Sequence, residues 1–482
     1  MINFRIIARV ISQMLIIEGL FMVLPALVSL IYGEKVLSSF IYSSIITLVT
    51  GILAFTPLRK EEKVYSTREG YILVGGIWII FSLFGTLPFI FSGVAGNFTD
   101  AFFETVSGFT TTAASVFTDI ESLPRGIVFW RCLMSWIGGI TIIVIALSVF
   151  PVFKAMNIQL SVTEFSGQMT EKLHPKTTDT ARRFIALYIT LTLIEAIMLK
   201  AGGMSFFDSV CHSLSTISTG GFSSRNDNMS AFSSPYIQSV IIIFMFLSGT
   251  NLSFIYFAVK RNFKKITGDT EFRLYFGALV FFSLIAGLIL VINKTMPAGN
   301  AFMAGFFNTV SVITTTGFYT HDYSTWGGLL ILLIFLLMFP GGMAGSATGG
   351  IKMIRMITIF INSRKEVRRL IHPEAYLPVF IDRKIIEQSV VYNVLVFVTL
   401  YFLIMCTGAF LISLMGYDII TSFSTSASML GNIGPGIGTF GPFSNYASLP
   451  LPGKWIMSAL MLIGRVEILA LLVLFTRTFY KR

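Results

Sequence analysis

Four stretches of this 482-residue chain place hydroxyl side chains ahead of a small residue in a shared register. They are Phe102–Ala114, Asp208–Phe222, Phe307–Phe318 and Ile420–Pro435. Aligned on the turn residue they centre on Ala113, Gly221, Gly317 and Gly434, at intervals of 108, 96 and 117 residues, which marks an internal repeat. The chemistry such segments can do is to hold a bare cation. A short helix ending at a shared cavity presents unpaired carbonyls worth about half an elementary negative charge. Extended residues beyond it can turn backbone carbonyls inward in place of a hydration shell. The donor pairs are Thr111 and Thr112, Thr219 and Gly220, Thr315 and Thr316, and Asn432 and Ile433. A residue without a Cβ penalty suits the reversal that follows each pair, hence glycine. One such turn alone reads as an ordinary external loop; four in register, each between apolar spans, do not.

These segments need a membrane around them, and the composition supplies one. The chain is 54% hydrophobic and 12% charged, with a mean hydropathy of +0.79. Apolar stretches reach the roughly 20 residues that cross a bilayer, among them Ile72–Gly93, Ile127–Phe150, Phe184–Leu199, Ile237–Val259, Leu274–Ile292, Val390–Met415 and Trp455–Phe475. Each hydroxyl-rich segment lies between two spans and is too short and polar to cross. It reads as a half-helix that enters the membrane and returns as extended backbone, tolerated at that depth only where it is buried or lines a water-filled cavity. The expected fold is an all-α integral membrane protein. Four pseudo-fourfold repeats of helix, re-entrant pore loop and helix surround one central pore, preceded by two N-terminal transmembrane helices. The boundaries are 1–58 for that appendage, then 59–153, 154–260, 261–361 and 362–482 for the repeats, ten spans in all.

The formal charge of +11 is a topology signal before it is a nucleic-acid signal. Lys and Arg concentrate in 59–68, 154–183, 260–273, 352–384 and the two chain ends, 27 of the 35 in total. Basic residues kept on alternate connections indicate the cytoplasmic side. Both termini are therefore expected in the cytoplasm, and the four polar segments outside.

At these loops the chain resembles the Trk/Ktr/HKT superfamily of potassium transporters, and within it the bacterial TrkH type. The motifs that carry the resemblance are Ser107–Thr112, Ser218–Ser223, Thr314–Phe318, Gly341–Lys352, Asn432–Gly438 and Gly464–Glu467. The resemblance covers nearly the whole chain. It implies potassium uptake across the bacterial plasma (inner) membrane and K⁺ as the transported ion at the filter residues. It further implies a homodimer with one pore per subunit and a peripheral cytosolic nucleotide-binding partner of the TrkA type. The family usually has glycine where this chain has Ala113, and in related plant transporters a serine there accompanies sodium transport. Weaker K⁺/Na⁺ discrimination than a four-glycine relative is therefore expected, and a sodium-permeable or sodium-coupled transporter is the alternative.

The second helix of the third repeat, from Trp326 to Phe339, is interrupted by Pro340–Gly350, with a proline and five glycines, before resuming towards Phe360. Such a run cannot continue a helix. Small residues there suit either close helix packing or a loop that obstructs the pore, and the resemblance favours the latter, with Gly345, Ser346, Ala347, Thr348, Gly349 and Lys352 as its parts. Arg465 lies within an apolar span, where a charge is expensive unless paired or hydrated. It is expected to reach the loop, as a gate element or as a hydrogen-bond donor to its carbonyls. Arg131 is expected to snorkel outward. Lys352 and Arg355, with Arg364, Lys365, Arg368 and Arg369, are expected to form a basic internal surface for anionic membrane lipid or, on the resemblance, an acidic partner.

Other signals carry little. Gly436–Gly441 fits the dinucleotide pattern but lacks its strand and helix, and no Lys directly follows a phosphate-loop glycine, so no nucleotide is expected on this chain. Cys132, Cys211 and Cys406 read as small buried hydrophobes. His174, His212, His321 and His372 are too dispersed for a metal, and His212 reads as a packing or hydrogen-bonding residue. No arrangement for catalysis or for nucleic-acid binding presents itself.

Overall fold

Long apolar runs free of internal proline form long helices, because a helix satisfies every backbone group internally where no water is available. The computed structural model describes residues 2–58, 67–154, 177–375, 377–382 and 384–480. The basic connections at 59–66 and 155–176, on which part of the topology reading rests, lie outside the described residues. Among the described residues six helices are long and apolar enough to cross a membrane: Phe4–Ile31, Leu37–Leu58, Arg68–Phe91, Ala181–Ala201, Thr270–Ile292 and Gln388–Ser413. Arg125–Lys154, a 30-residue helix, completes the first repeat. The described β-structure is one antiparallel hairpin, Val379–Ile381 with Lys384–Ile386, between the third and fourth repeats.

Two stretches that read as uninterrupted spans are broken. Pro235–Ser248 and Leu252–Val259 meet at 109°, and Leu451–Val466 and Ile468–Leu474 at 108°. At the first break Asn251 starts a new helix by accepting the Ser253 N–H at 2.8 Å, the side-chain capping that Asn favours. At the second, no Gly or Pro intervenes. Glu467 takes a left-handed φ of 72°, and its carboxylate pairs with Arg355 at 2.7 Å. In the third repeat the helix spans Gly328–Leu337, starting later than Trp326, and resumes as Met353–Ile371, beyond the expected boundary at 361.

The four polar segments form short helices: Phe98–Phe109, Phe206–Ile217, Ala298–Ile313 and Ile419–Leu430. Twelve residues span roughly 18 Å, which takes a half-helix only part of the way through a ~30 Å hydrocarbon core. Three begin on side-chain caps. Asn97 accepts from the Asp100 N–H, Ser205 from that of Asp208, and Asp418 from that of Thr421. Each of the first three also packs on the second helix of the preceding repeat. The first lies on Leu451–Val466, the second on Arg125–Lys154 and the third on Pro235–Ser248. Contact between the fourth repeat and the first closes the chain into a ring. The N-terminal helix Phe4–Phe21 packs on Leu37–Phe55 and Thr67–Gly85, as an appendage to the first repeat.

Candidate functional site

All four half-helices end in the same way. The N–H of Thr112, Gly220, Thr316 and Ile433 donates to the carbonyl of Ser107, Ser215, Ser311 and Ser428 at 2.9, 2.7, 2.9 and 2.9 Å. The preceding residue closes a tighter bond, as Thr111 does to Gly108 at 2.9 Å. This paired closure is the Schellman arrangement, which requires a left-handed residue just past the helix. Thr111, Thr219, Thr315 and Asn432 supply it, with φ of 56°, 54°, 52° and 54°. Two residues on, Ala113, Gly221, Gly317 and Gly434 are left-handed again, at 61°, 72°, 79° and 104°. The sequence register thus recurs as a backbone register in four copies.

The loops touch one another. A Cβ placed on Gly221 would lie 2.0 Å from the Thr316 carbonyl oxygen, one on Gly317 1.9 Å from that of Ile433, and one on Gly434 2.2 Å from that of Thr112. Each of these three glycines abuts the second carbonyl of the pair in the next repeat, the fourth repeat returning to the first, and the Gly221 Cβ position lies 3.2 Å from the Ala113 methyl. Three corners therefore admit glycine alone. The first corner bears the Ala113 methyl instead, at φ 61°, and a left-handed alanine costs roughly 1–2 kcal/mol. Across the fourth and first loops, Asn432 donates its Nδ2 to Thr112 Oγ1 at 3.1 Å and to the Met461 carbonyl at 3.0 Å. On one side the ring opens into a cavity lined by Ala113, Gly221, Gly317 and Gly434.

On the opposite side lies the interrupting loop of the third repeat. Gly349 N–H donates to Thr315 Oγ1 at 2.8 Å, and Gly349 sits so close to the Gly431 carbonyl that a Cβ would stand 2.2 Å from it. Met343 N–H donates to the Gly249 carbonyl at 2.9 Å and Ala344 N–H to Glu271 at 2.8 Å. Ser346 and Thr348 share a hydroxyl bond at 2.7 Å. Arg465, buried as expected, donates to the Ala347 carbonyl at 2.7 Å and reaches the Gly138 carbonyl of the first repeat at 3.4 Å. Loop and arginine together thus contact all four repeats.

Of the other charges, Lys352, expected both in the loop and on a basic internal surface, folds back on the loop, donating to the Thr348 carbonyl at 2.5 Å and to Thr348 Oγ1 at 3.0 Å. Arg355 is buried against Glu467 and the Phe397 ring. Neither joins a basic internal surface. Arg131 does not snorkel, because a carboxylate awaits it inside: its Nε donates to Glu104 at 2.6 Å, both side chains being buried. Cys132 and Cys211 are buried, whereas Cys406 is exposed. His212 is a hydrogen-bonding residue, between the Asp208 carbonyl at 2.8 Å and Ser223 Oγ at 3.1 Å.

Glu104 and His212 reveal a set of residues that the sequence reading passed over. Nine positions before each turn residue stand Glu104, His212, Asn308 and Thr425. The first three brace the arm that leaves the ring. Glu104 accepts from Ser115 Oγ at 3.1 Å and Val116 N–H at 2.9 Å. His212 holds Ser223, and Asn308 donates to Thr320 Oγ1 at 3.2 Å. In the fourth repeat Ser424, next to Thr425, does this through Ile437 N–H at 2.9 Å. A polar residue recurring at one position of four apolar-flanked segments was the available signal.

The comparisons with known proteins agree with this geometry. A family model described as TrkH, cation transport protein, matches residues 36–480. The Trk system potassium uptake protein TrkH of Escherichia coli (strain K12) is 35% identical over 485 residues, covering 99% of this chain and all of its own. TrkG of the same strain is 33% identical, covering 99% of each chain. The crystal structure of the potassium transporter TrkH from Vibrio parahaemolyticus superposes with a TM-score of 0.91 at 31% identity over the whole of both chains. With the fourfold ring, the interrupting loop and these matches across its length, the chain belongs to the TrkH family of cation transport proteins, transporters rather than enzymes.

Proposed function

We propose that this protein takes up potassium through a gated, channel-like pore, with the membrane potential as the driving force. The observation that carries this reading is the closed ring of four left-handed loops. On this reading the ion-binding residues are Thr111, Thr112, Ala113, Thr219, Gly220, Gly221, Thr315, Thr316, Gly317, Asn432, Ile433 and Gly434, which share the recurring left-handed backbone and the corner contacts. Four helix C-termini converge there, so a cation is stabilised without any carboxylate. An inward potential supplies about 2.3 kcal/mol per charge per 100 mV. The segment Gly345–Gly349, pinned by Lys352 and Arg465, is the gate that stands beneath the filter. By likeness to relatives named as Trk system potassium uptake proteins, the chain works in the bacterial inner membrane with both termini in the cytoplasm. It acts as a homodimer under a cytosolic TrkA-type nucleotide-binding subunit. A second reading, a sodium-permeable or sodium-coupled transporter of the same fold, is favoured by the methyl of Ala113, the one corner of the four that is not glycine. Rubidium uptake into proteoliposomes holding the purified chain tests both. Competition by potassium and not sodium supports the first, equal competition the second, and no uptake contradicts both.

A further inference from the structure

We propose that the buried Glu104–Arg131 ion pair positions the first filter loop and thereby sets discrimination among alkali cations; this rests on the reading of the ring as a filter. Glu104 is fully buried on the first half-helix, and Arg131 is fully buried on the helix that follows the loop. One carboxylate oxygen accepts Arg131 Nε at 2.6 Å and Ser115 Oγ at 3.1 Å; the other accepts Val116 N–H at 2.9 Å. Arg131 Nη2 also donates to Ser115 Oγ at 3.0 Å. Its guanidinium lies 4.2 Å from the Phe222 ring centroid, immediately after Gly221 of the second loop. The pair therefore fixes the departing arm of one loop and leans on its neighbour.

Why the charge sits in this repeat follows from a comparison within the molecule. At the matching position the three repeats whose corner is glycine brace the arm without a carboxylate: through the His212 imidazole, the Asn308 amide and, in the fourth, the Ser424 hydroxyl one residue earlier. Among the described residues an ion pair buried on both sides braces the arm only where the corner is Ala113, left-handed with a methyl. In the second repeat Asp208 also takes the arm through Ser224 at 2.6 Å and Arg225 at 2.9 Å, but that arginine is 39% exposed. A strained alanine relaxes toward negative φ unless the chain beyond it is held, and that relaxation rotates the Thr112–Ala113 peptide, whose oxygen belongs to the ring. Charge-assisted bonds to Ser115 and Val116 resist it more strongly than neutral ones. Burying an ion pair is weak evidence for stability by itself, so its role here is to fix position.

The test uses the full chain in proteoliposomes, reading rubidium uptake with and without competing sodium. Variants are Glu104→Gln, the double substitution Glu104→Gln with Arg131→Met, and Glu104→Gln combined with Ala113→Gly. Glu104→Gln is expected to lower the rubidium-to-sodium preference roughly tenfold, the fold-change equivalent to about one lost hydrogen bond. Adding Ala113→Gly restores most of that preference, because the unstrained corner no longer needs the brace, a non-additivity that simple destabilisation does not produce. The double substitution leaves no unpaired buried charge and gives a folded protein should the single change not fold. An unchanged preference in the double substitution, or the same loss with and without Ala113→Gly, overturns the proposal alone. Absence of rubidium uptake by the wild-type chain overturns the filter reading, and the proposal with it.

Discussion

Replacing Gly317 by alanine should damage transport more than any other single methyl added to the ring. The new Cβ would lie 1.9 Å from the Ile433 oxygen and 3.1 Å from Pro435 Cδ. Real Cβ atoms essentially never approach other atoms closer than 3.0 Å, so the third and fourth loops must separate by about 1.1 Å. The neighbour is the backbone carbonyl of a residue whose N–H is tied to the Ser428 carbonyl at 2.9 Å, so it cannot swing aside as a side chain would. The left-handed φ of 79° adds roughly 1–2 kcal/mol of strain. Since 1.4 kcal/mol is tenfold, uptake should fall by at least about an order of magnitude. Rubidium uptake, normalised to monodisperse protein, reads the loss. Gly299→Ala is the control, because nothing lies within 4 Å of its Cβ position. A folded Gly317→Ala protein with wild-type uptake and wild-type selectivity would refute the reasoning.

Further expectations concern other parts of the site. Ala113→Gly relieves the strained corner and should raise the preference for rubidium over sodium; ion-replacement currents that do not differ from wild type would count against it. Deleting part of Gly345–Gly349 should raise basal flux in liposomes, and unchanged flux would argue that the loop is a packing element. Lys454, buried, pairs with Asp100 of the first half-helix at 2.6 Å, so Lys454→Met should cost about 2 kcal/mol or more, seen as a lower Tm in detergent; an unaltered Tm would remove this contact from the forces closing the ring.

How much of this was legible before the coordinates depends on whether the cause was local. The register of the four loops was legible because Schellman termini and left-handed corners are set by a few adjacent residues, and Gly221, Gly317 and Gly434 mark them. Ala113 was legible by alignment alone, since nothing in its own chemistry favours φ of 61°. The interruption of the third repeat's second helix was legible because Pro340 and its glycines break a helix anywhere. The bend at Glu467 was not, because helix propensity continues through Arg465–Leu469 and only the distant Arg355 rewards the break. The same holds for Arg131, whose partner lies 27 residues away. Spacing exposes partners within a few turns, and nothing in it reports one across a re-entrant loop. Lys352 looked cytoplasmic because it opens a basic segment, yet its left-handed backbone, φ 79°, turns it back to Thr348.

The account is tested most directly by anomalous scattering from crystals of this chain grown in rubidium. It predicts a peak enclosed by the four loops, in direct contact with carbonyl oxygens of Thr112, Gly220, Thr316 and Ile433. Protein that carries rubidium yet shows no peak within that ring, with the ion bound by side chains elsewhere, would contradict it.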